Sequence, residues 1–289
     1  MIPLSYLFSD EWGTFYDLDR ILLPLEGFPG EIEALNVALY LAECSGALLK
    51  LFHILKQPAE KERSFDRLRE MAIGKARSME TKLEVEIGQG DAVEGILTRA
   101  QDHDLIVVGG RRKLRENIFG SVSSGVIRHT PKPVVVVTSP IAGWEDEEKP
   151  IRKLLIPLGD MEEDVAAVKL AAALTSSATM KDFQLLALHV VTLPITTPIS
   201  AYSEDVEEER RFLKEVGELT KQIARPITPR VVVGRSVGRS VVGFAEEHGS
   251  DIILLGERKK PGPFTRLLGT EALYISRNAP CPVVLVYKP

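Results

Sequence analysis

The chain has 289 residues, 44% hydrophobic and 27% charged, the make-up of a globular protein long enough for two domains. Its formal net charge of −5 means that the field of the whole molecule does not gather nucleic acid or anionic lipid, so any basic patch has to be local. The two cysteines, Cys44 and Cys281, offer neither a disulfide framework nor a thiolate metal site, and they fit a reduced, cytoplasmic setting.

Residues 1–18, MIPLSYLFSDEWGTFYDL, read as an N-terminal arm. The apolar stretch has no basic start, and Asp10 and Glu11 interrupt it too early for a secretory signal. No apolar run reaches the roughly 18 residues that a spanning helix needs, so a soluble protein without membrane contact is expected. From residue 19 onward, short β-branched runs alternate with helical periods. A strand at 20–25 is followed by a helix at 31–45, with Leu35, Ala38, Leu39 and Ala42 on one face and Gly46 as its C-terminal cap. Then come a strand at 48–54, a helix at 62–79, a strand at 83–87, a helix at 92–101 and a strand at 104–108. A helix from about 122 and a strand at 133–138 complete the unit, with Pro131 and Pro133 stopping the one and opening the other. SPIAGWEDEEKP then breaks every period and reads as a solvated connector. This places a first domain at 19–139, a linker at 140–150 and a second domain at 151–289.

The second domain repeats the first. DRILLPL at 19–25 returns as RKLLIPL at 152–158, and DLIVVGG at 104–110 as DIILLGE at 251–257. TPKPVVVV at 130–137 returns as APCPVVLV at 279–286. The offset grows from 133 between Pro24 and Pro157 to 149 between Pro133 and Pro282, as expected of a duplicated domain with insertions in the loops of its second copy. Strands are expected near 153–157, 184–190, 230–233, 251–255 and 282–287. Thr192–Ser203 reads as a loop, and Glu204–Glu209 as either the start of the third helix or a mobile stretch.

Runs such as IVVG and VVVV are apolar on both faces, which suits a parallel sheet covered by helices on each side. The fold class is therefore α/β: two tandem doubly wound, Rossmann-like sheets of about five strands each. Ligands of such sheets lie outside the carboxyl ends of the strands, where strand order reverses. Glu26 follows the first strand there, and Ile54 and Val190 follow His53 and His189 at the end of the second. The loop after the fourth strand runs from Val108, Gly109 and Gly110 to Gly120, Ser121, Val122 and Ser123, and in the second copy from Gly256 to Gly269 and Thr270. Within FGSVSSG at 119–125, glycine lets backbone approach an anion, hydroxyls add donors, and the following helix opens with unpaired N–H groups. A plainer alternative is that the serines cap the helix and the glycine only turns the chain.

The ordered set of a first strand ending PLEG or PLGD, a second ending in His53-Ile54 or His189-Val190, the glycine loop, and a last strand introduced by PKPV or PCPV resembles the tandem, UspA-like universal stress proteins. The likeness covers 19–138 and 152–288. It implies an adenine nucleotide alpha hydrolase-like fold and a stress-response role without catalytic turnover. It also implies an adenine nucleotide (ATP, ADP or AMP) as ligand, with magnesium left open. Adenine would lie against backbone at Ile54 or Val190, Glu26 close to the nucleoside, and phosphates on the glycines and hydroxyls of the long loop. In single-domain relatives the last strands pair between subunits, so an intrachain pseudo-dimer is expected, and whether two chains associate stays open. No metal ligands and no nucleic-acid motif are evident. The alternative function is a nucleotide-free scaffold acting through protein surfaces. A further rival, an adenine-nucleotide enzyme, lacks clear acidic magnesium ligands or a nucleophile.

The two copies depart from the pattern differently. The second keeps the loop spacing but carries Lys259 in place of the middle glycine, Gly159 in the acid slot with Asp160 one residue on, and Glu271 after Thr270. That carboxylate is expected to satisfy the dipole of its own helix and to repel phosphate. The first copy has a shorter loop, 11 positions from Gly109 to Gly120 against 13, and either Gly110 or Arg112 fills the middle slot. Arg112 and Arg258 belong to local basic clusters that suit an anion. The first domain is thus the expected site. Hydrogen-bonding roles in the fold are expected for His53 and His189, no metal at His103, and helix-end positions for His129 and His248. Cys44 is expected as a small buried group on the first helix, and Cys281 as a core residue.

Overall fold

In the first half, β1 (Arg20–Leu25), β2 (Leu48–Leu55), β3 (Leu83–Gln89), β4 (Leu105–Gly109) and β5 (Val134–Thr138) alternate with α1 (Ile32–Ser45), α2 (Arg63–Ser78), α3 (Ala92–Ala100) and α4 (Ser121–His129). The second half repeats the order with β6 (Lys153–Pro157), α5 (Met161–Thr175), β7 (Gln184–Thr192), α6 (Val206–Ile223) and β8 (Ile227–Gly234). It ends with α7 (Val237–His248), β9 (Ile252–Glu257), α8 (Thr270–Asn278) and β10 (Val283–Tyr287). The structure is a computed structural model. It describes residues 18–26, 31–55, 63–110, 120–138, 151–159, 161–175, 183–198, 206–223, 226–257 and 268–287. The expected arm up to residue 17, the linker, Asp160, Arg112, Arg258 and Lys259 lie outside the described residues.

All ten strands form one sheet in the order β3-β2-β1-β4-β5-β10-β9-β6-β7-β8. Neighbours are parallel except β5 and β10, which pair antiparallel from Val134 opposite Tyr287 to Thr138 opposite Val283. The last strands of the two copies therefore join within one chain, and Thr138 Oγ1 adds a hydrogen bond to the Val283 carbonyl at 3.3 Å. Across the same seam Tyr40 of α1 meets Phe183 with ring centroids 6.4 Å apart, and Cys44 Sγ donates to the Leu174 carbonyl at 3.3 Å. Cys44 is thus a half-buried seam residue and not a group packed inside its own half, because this face of α1 turns toward α5. Cys281 is buried as expected.

Helices α1, α2, α5 and α6 cover one face of the sheet, and α3, α4, α7 and α8 the other, each over its own apolar core. Strand residues alternate between these cores: Leu23 joins the first and Leu22 the second. Val134 to Val137 are fully buried because β5 has helices above and below and strands on either side. Gly46 closes α1 in the left-handed region at φ +72°, a conformation glycine adopts without strain.

Several strands differ from expectation by two to four residues, β3 and β9 each running two residues further, to Gln89 and Glu257. β8 starts at Ile227, not near 230, since Pro229 is tolerated on a sheet-edge strand, where it displaces no interior ladder bond. β7 runs through Thr192, taking the first residue of the expected loop. In each half the strand order reverses between the first and fourth strands, whose connections leave to opposite faces, and this opens a crevice at their carboxyl ends.

Candidate functional site

The crevice between β1 and β4 in the first half holds a cavity of about 270 Å³, near the lower end of the roughly 300–1,000 Å³ usual for small-molecule sites. Six of the residues picked out from the sequence line it: Glu26, Ile54, Val108, Gly109, Val122 and Ser123. β1 delivers Glu26, β2 delivers Ile54, β4 delivers Val108 and Gly109, and the first turn of α4 delivers Val122 and Ser123. A fourth strand end, not followed in the sequence, adds Gly90, Asp91 and Ala92 between β3 and α3. Gly90 has φ +111°, and Asp91 caps α3 by accepting from the Glu94 N–H at 2.9 Å. A strand end followed by Gly-Asp at a helix start was the signal for that wall.

The mouth is set by α4. Its N-cap is Gly120 at φ −68° and ψ 169°, extended backbone open to any residue, and no side chain caps the helix. The first-turn N–H groups of Ser121, Val122 and Ser123 therefore have no intrahelical acceptor. The serines do not cap. Ser121 is exposed, and Ser123 Oγ donates to the Gly109 carbonyl at 3.2 Å, tying α4 to the end of β4. Gly110 lies just beyond the lining, and its N–H donates to the Val137 carbonyl at 2.8 Å.

Two more groups shape the walls. Glu31, buried at the start of α1, accepts from the Glu26 N–H at 2.8 Å and ties the end of β1 to that helix start. The ring of Phe52 carries the Arg99 guanidinium 3.8 Å from its centroid. Arg99 is in turn bonded through Nε to Glu86 at 2.6 Å, and Lys50 reaches the same carboxylate. Hydrogen bonding from Arg99 holds the Glu86 carboxyl below the usual carboxylate range. Among the described lining residues are three carboxylic acids, Glu26, Glu31 and Asp91, and no cation.

The histidines act in the frame. His53 Nδ1 donates to the Leu25 carbonyl at 2.7 Å with its ring stacked on Phe65, and His189 Nδ1 faces the Leu158 carbonyl at 3.2 Å beside Phe212. Each locks the end of the second strand to the end of the first. His103 is buried, donates through Nδ1 to the Arg99 carbonyl, and is kept neutral by burial, which lowers its pKa. His129 and His248 bond carbonyls four residues back, Gly125 and Phe244, near the ends of α4 and α7.

The second half is built differently at the same place. Gly269 is an N-cap without a side-chain bond, followed by exposed Thr270; Val190 and Gly256 are half-buried at their strand ends. Glu271, where the first half has Val122, does not serve its own helix. Its Oε2 accepts from the Gly238 N–H at 2.5 Å and from Ser236 Oγ at 3.3 Å, so it occupies the amide end of α7. The reason is packing: Gly238 leaves a notch in which Glu271 and Tyr274 of α8 come close to α7. Arg235, just before the Ser236 cap, bonds the carbonyls of Leu193, Pro194 and Thr197 and fastens the chain leaving β7 over this end of the sheet.

Among the described residues no helix is long and apolar enough to cross a membrane, and no group of three or more His, Cys, Asp or Glu could hold a metal ion. The profile of the Universal stress protein family matches residues 18–138 and again 150–287. A universal stress protein of Methanocaldococcus jannaschii is 28% identical over 142 residues, 48% of this chain and 83% of that protein. One from Mycobacterium tuberculosis is 25% identical over 205 residues, 69% of this chain and 67% of the relative. The crystal structure of a universal stress protein from Archaeoglobus fulgidus shares the fold at a TM-score of 0.64 and 18% identity, covering 93% of this chain and 98% of its own.

Proposed function

Because this chain belongs to the universal stress protein family in both of its halves, we propose that it serves the stress response by binding one adenine nucleotide, held in the first half. The observation that carries the reading is the start of α4: a helix with a glycine N-cap and no capping side chain opens beside the cavity at the switch point. Unpaired amides and the helix dipole there favour an anion. The walls sort the rest of the ligand. Phe52, Ile54, Ile96 and Val108 offer apolar surface to a planar base, and the Glu26 and Asp91 carboxylates accept from sugar hydroxyls. These acids repel phosphate, so the phosphates lie on the α4 side.

The second half, in this reading, takes no nucleotide. The Glu271 carboxylate stands at the α7 amides beside the start of α8, and its charge repels phosphate there. Binding proceeds without turnover, since Ser123 Oγ is held by a carbonyl and the lining offers no other hydroxyl or thiol nucleophile among the described residues.

The test is direct. Purified protein is acid-denatured and the supernatant examined for adenine absorbance, and the thermal midpoint is followed with ATP, with and without magnesium. Released adenine or a raised midpoint is expected. Neither, at millimolar ATP, would leave the nucleotide-free scaffold.

A further inference from the structure

Gly95 stands in the middle of α3 without a backbone need for glycine, since it is not among the positive-φ residues and glycine inside a helix is less stable than alanine. Its neighbours explain it. A Cβ placed on Gly95 would come 2.7 Å from Ile54 Cδ1 and 3.6 Å from Cε1 and Cζ of Phe52, both of which line the cavity. At 3.6 Å Phe52 would be in ordinary van der Waals contact and need not move, so the clash falls on Ile54 alone. Ile54 is half-buried, lines the cavity and rests its tip on Gly95, so a methyl at position 95 displaces that tip and reshapes the wall it forms.

We propose that Gly95 is a specificity-determining residue. By receiving the tip of Ile54 in its notch, it gives the cavity the depth of a purine ring, and alanine there would leave depth suited to the smaller pyrimidine. This rests on the nucleotide reading of the same site, from which its test can be separated.

Wild type and Gly95→Ala are titrated with AMP and with CMP, and the thermal midpoint of each ligand-free protein is measured. The expected result is an AMP affinity at least about tenfold weaker in Gly95→Ala, the scale of a methyl group in an apolar pocket, with CMP affinity changed far less. The ligand-free midpoint should change little, because the helix gain from alanine offsets the cost of displacing the flexible Ile54 tip. Gly95→Ala combined with Ile54→Ala should regain AMP binding. Equal AMP affinity in wild type and Gly95→Ala, or equal losses for AMP and CMP, overturns the role of Gly95 alone. A wild type that binds neither nucleotide overturns the reading beneath it as well.

Discussion

At the scale of single residues, the two copies share carboxylates whose work is internal. Asp104 Oδ2 accepts from the Asp19 and Arg20 N–H groups at 3.0 and 2.9 Å, and Asp251 Oδ2 accepts from Arg152 and Lys153, both at 2.9 Å. The recurring aspartate of DLIVVGG and DIILLGE thus stitches the start of the fourth strand to the start of the first, at the opposite edge from the cavity. Glu86 is a different case, because it holds Arg99 over Phe52. Its folded-state pKa is depressed, chiefly by the Arg99 hydrogen bond. Its contribution is therefore present above the ordinary glutamate value of about 4.3 and is lost as pH falls through the lower folded value. Thermal midpoints of wild type and Glu86→Gln should differ at neutral pH and converge in acid below about pH 4. A gap that stays constant through that window would mean that the ion pair is not what Glu86 supplies.

At the scale of elements, α4 and α8 begin alike and diverge one residue later. The alternation of β-branched runs and helical periods was enough to place every strand within a few residues, and the glycine-serine turn was legible because its chemistry is local. What stayed hidden required the tertiary arrangement. Phe52, Ile96 and the Gly90-Asp91 wall become lining only when β2, β3 and α3 are brought beside β1 and β4. Glu271 read as a partner for its own helix because that helix is its sequence neighbour, whereas the amide it meets, at Gly238, is 33 residues away. Since Gly120 has an unstrained φ of −68°, valine there fits the backbone, and any loss reports on the space in front of the amides. Gly120→Val should cost about 1 kcal/mol of stability, the scale of a lost favourable N-cap residue, and weaken ATP binding severely, as read by fluorescence competition. Unchanged competition would place the phosphates elsewhere.

At the scale of the whole molecule, one antiparallel contact, β5 on β10, turns two parallel half-sheets into one ten-stranded sheet. The pairing buries what would be two apolar edge strands, an arrangement the VVVV and VVLV runs foreshadow. The halves are alike in architecture and unlike at the switch point. The first leaves a cavity beside the uncapped start of α4, whereas in the second the Glu271 carboxylate bonds the first amides of α7 beside the equally uncapped start of α8. That asymmetry was only partly visible beforehand. Glu271 was expected at the start of its own helix, whereas its bond partner is the Gly238 N–H of α7, which lies close to α8.

The central claim is one nucleotide per chain, seated in the first half. Isothermal titration of the intact wild-type chain with ATP and magnesium measures it most directly. A single transition with a stoichiometry of one is the predicted result. A stoichiometry of two, or no heat with ATP, ADP or AMP, would contradict the account.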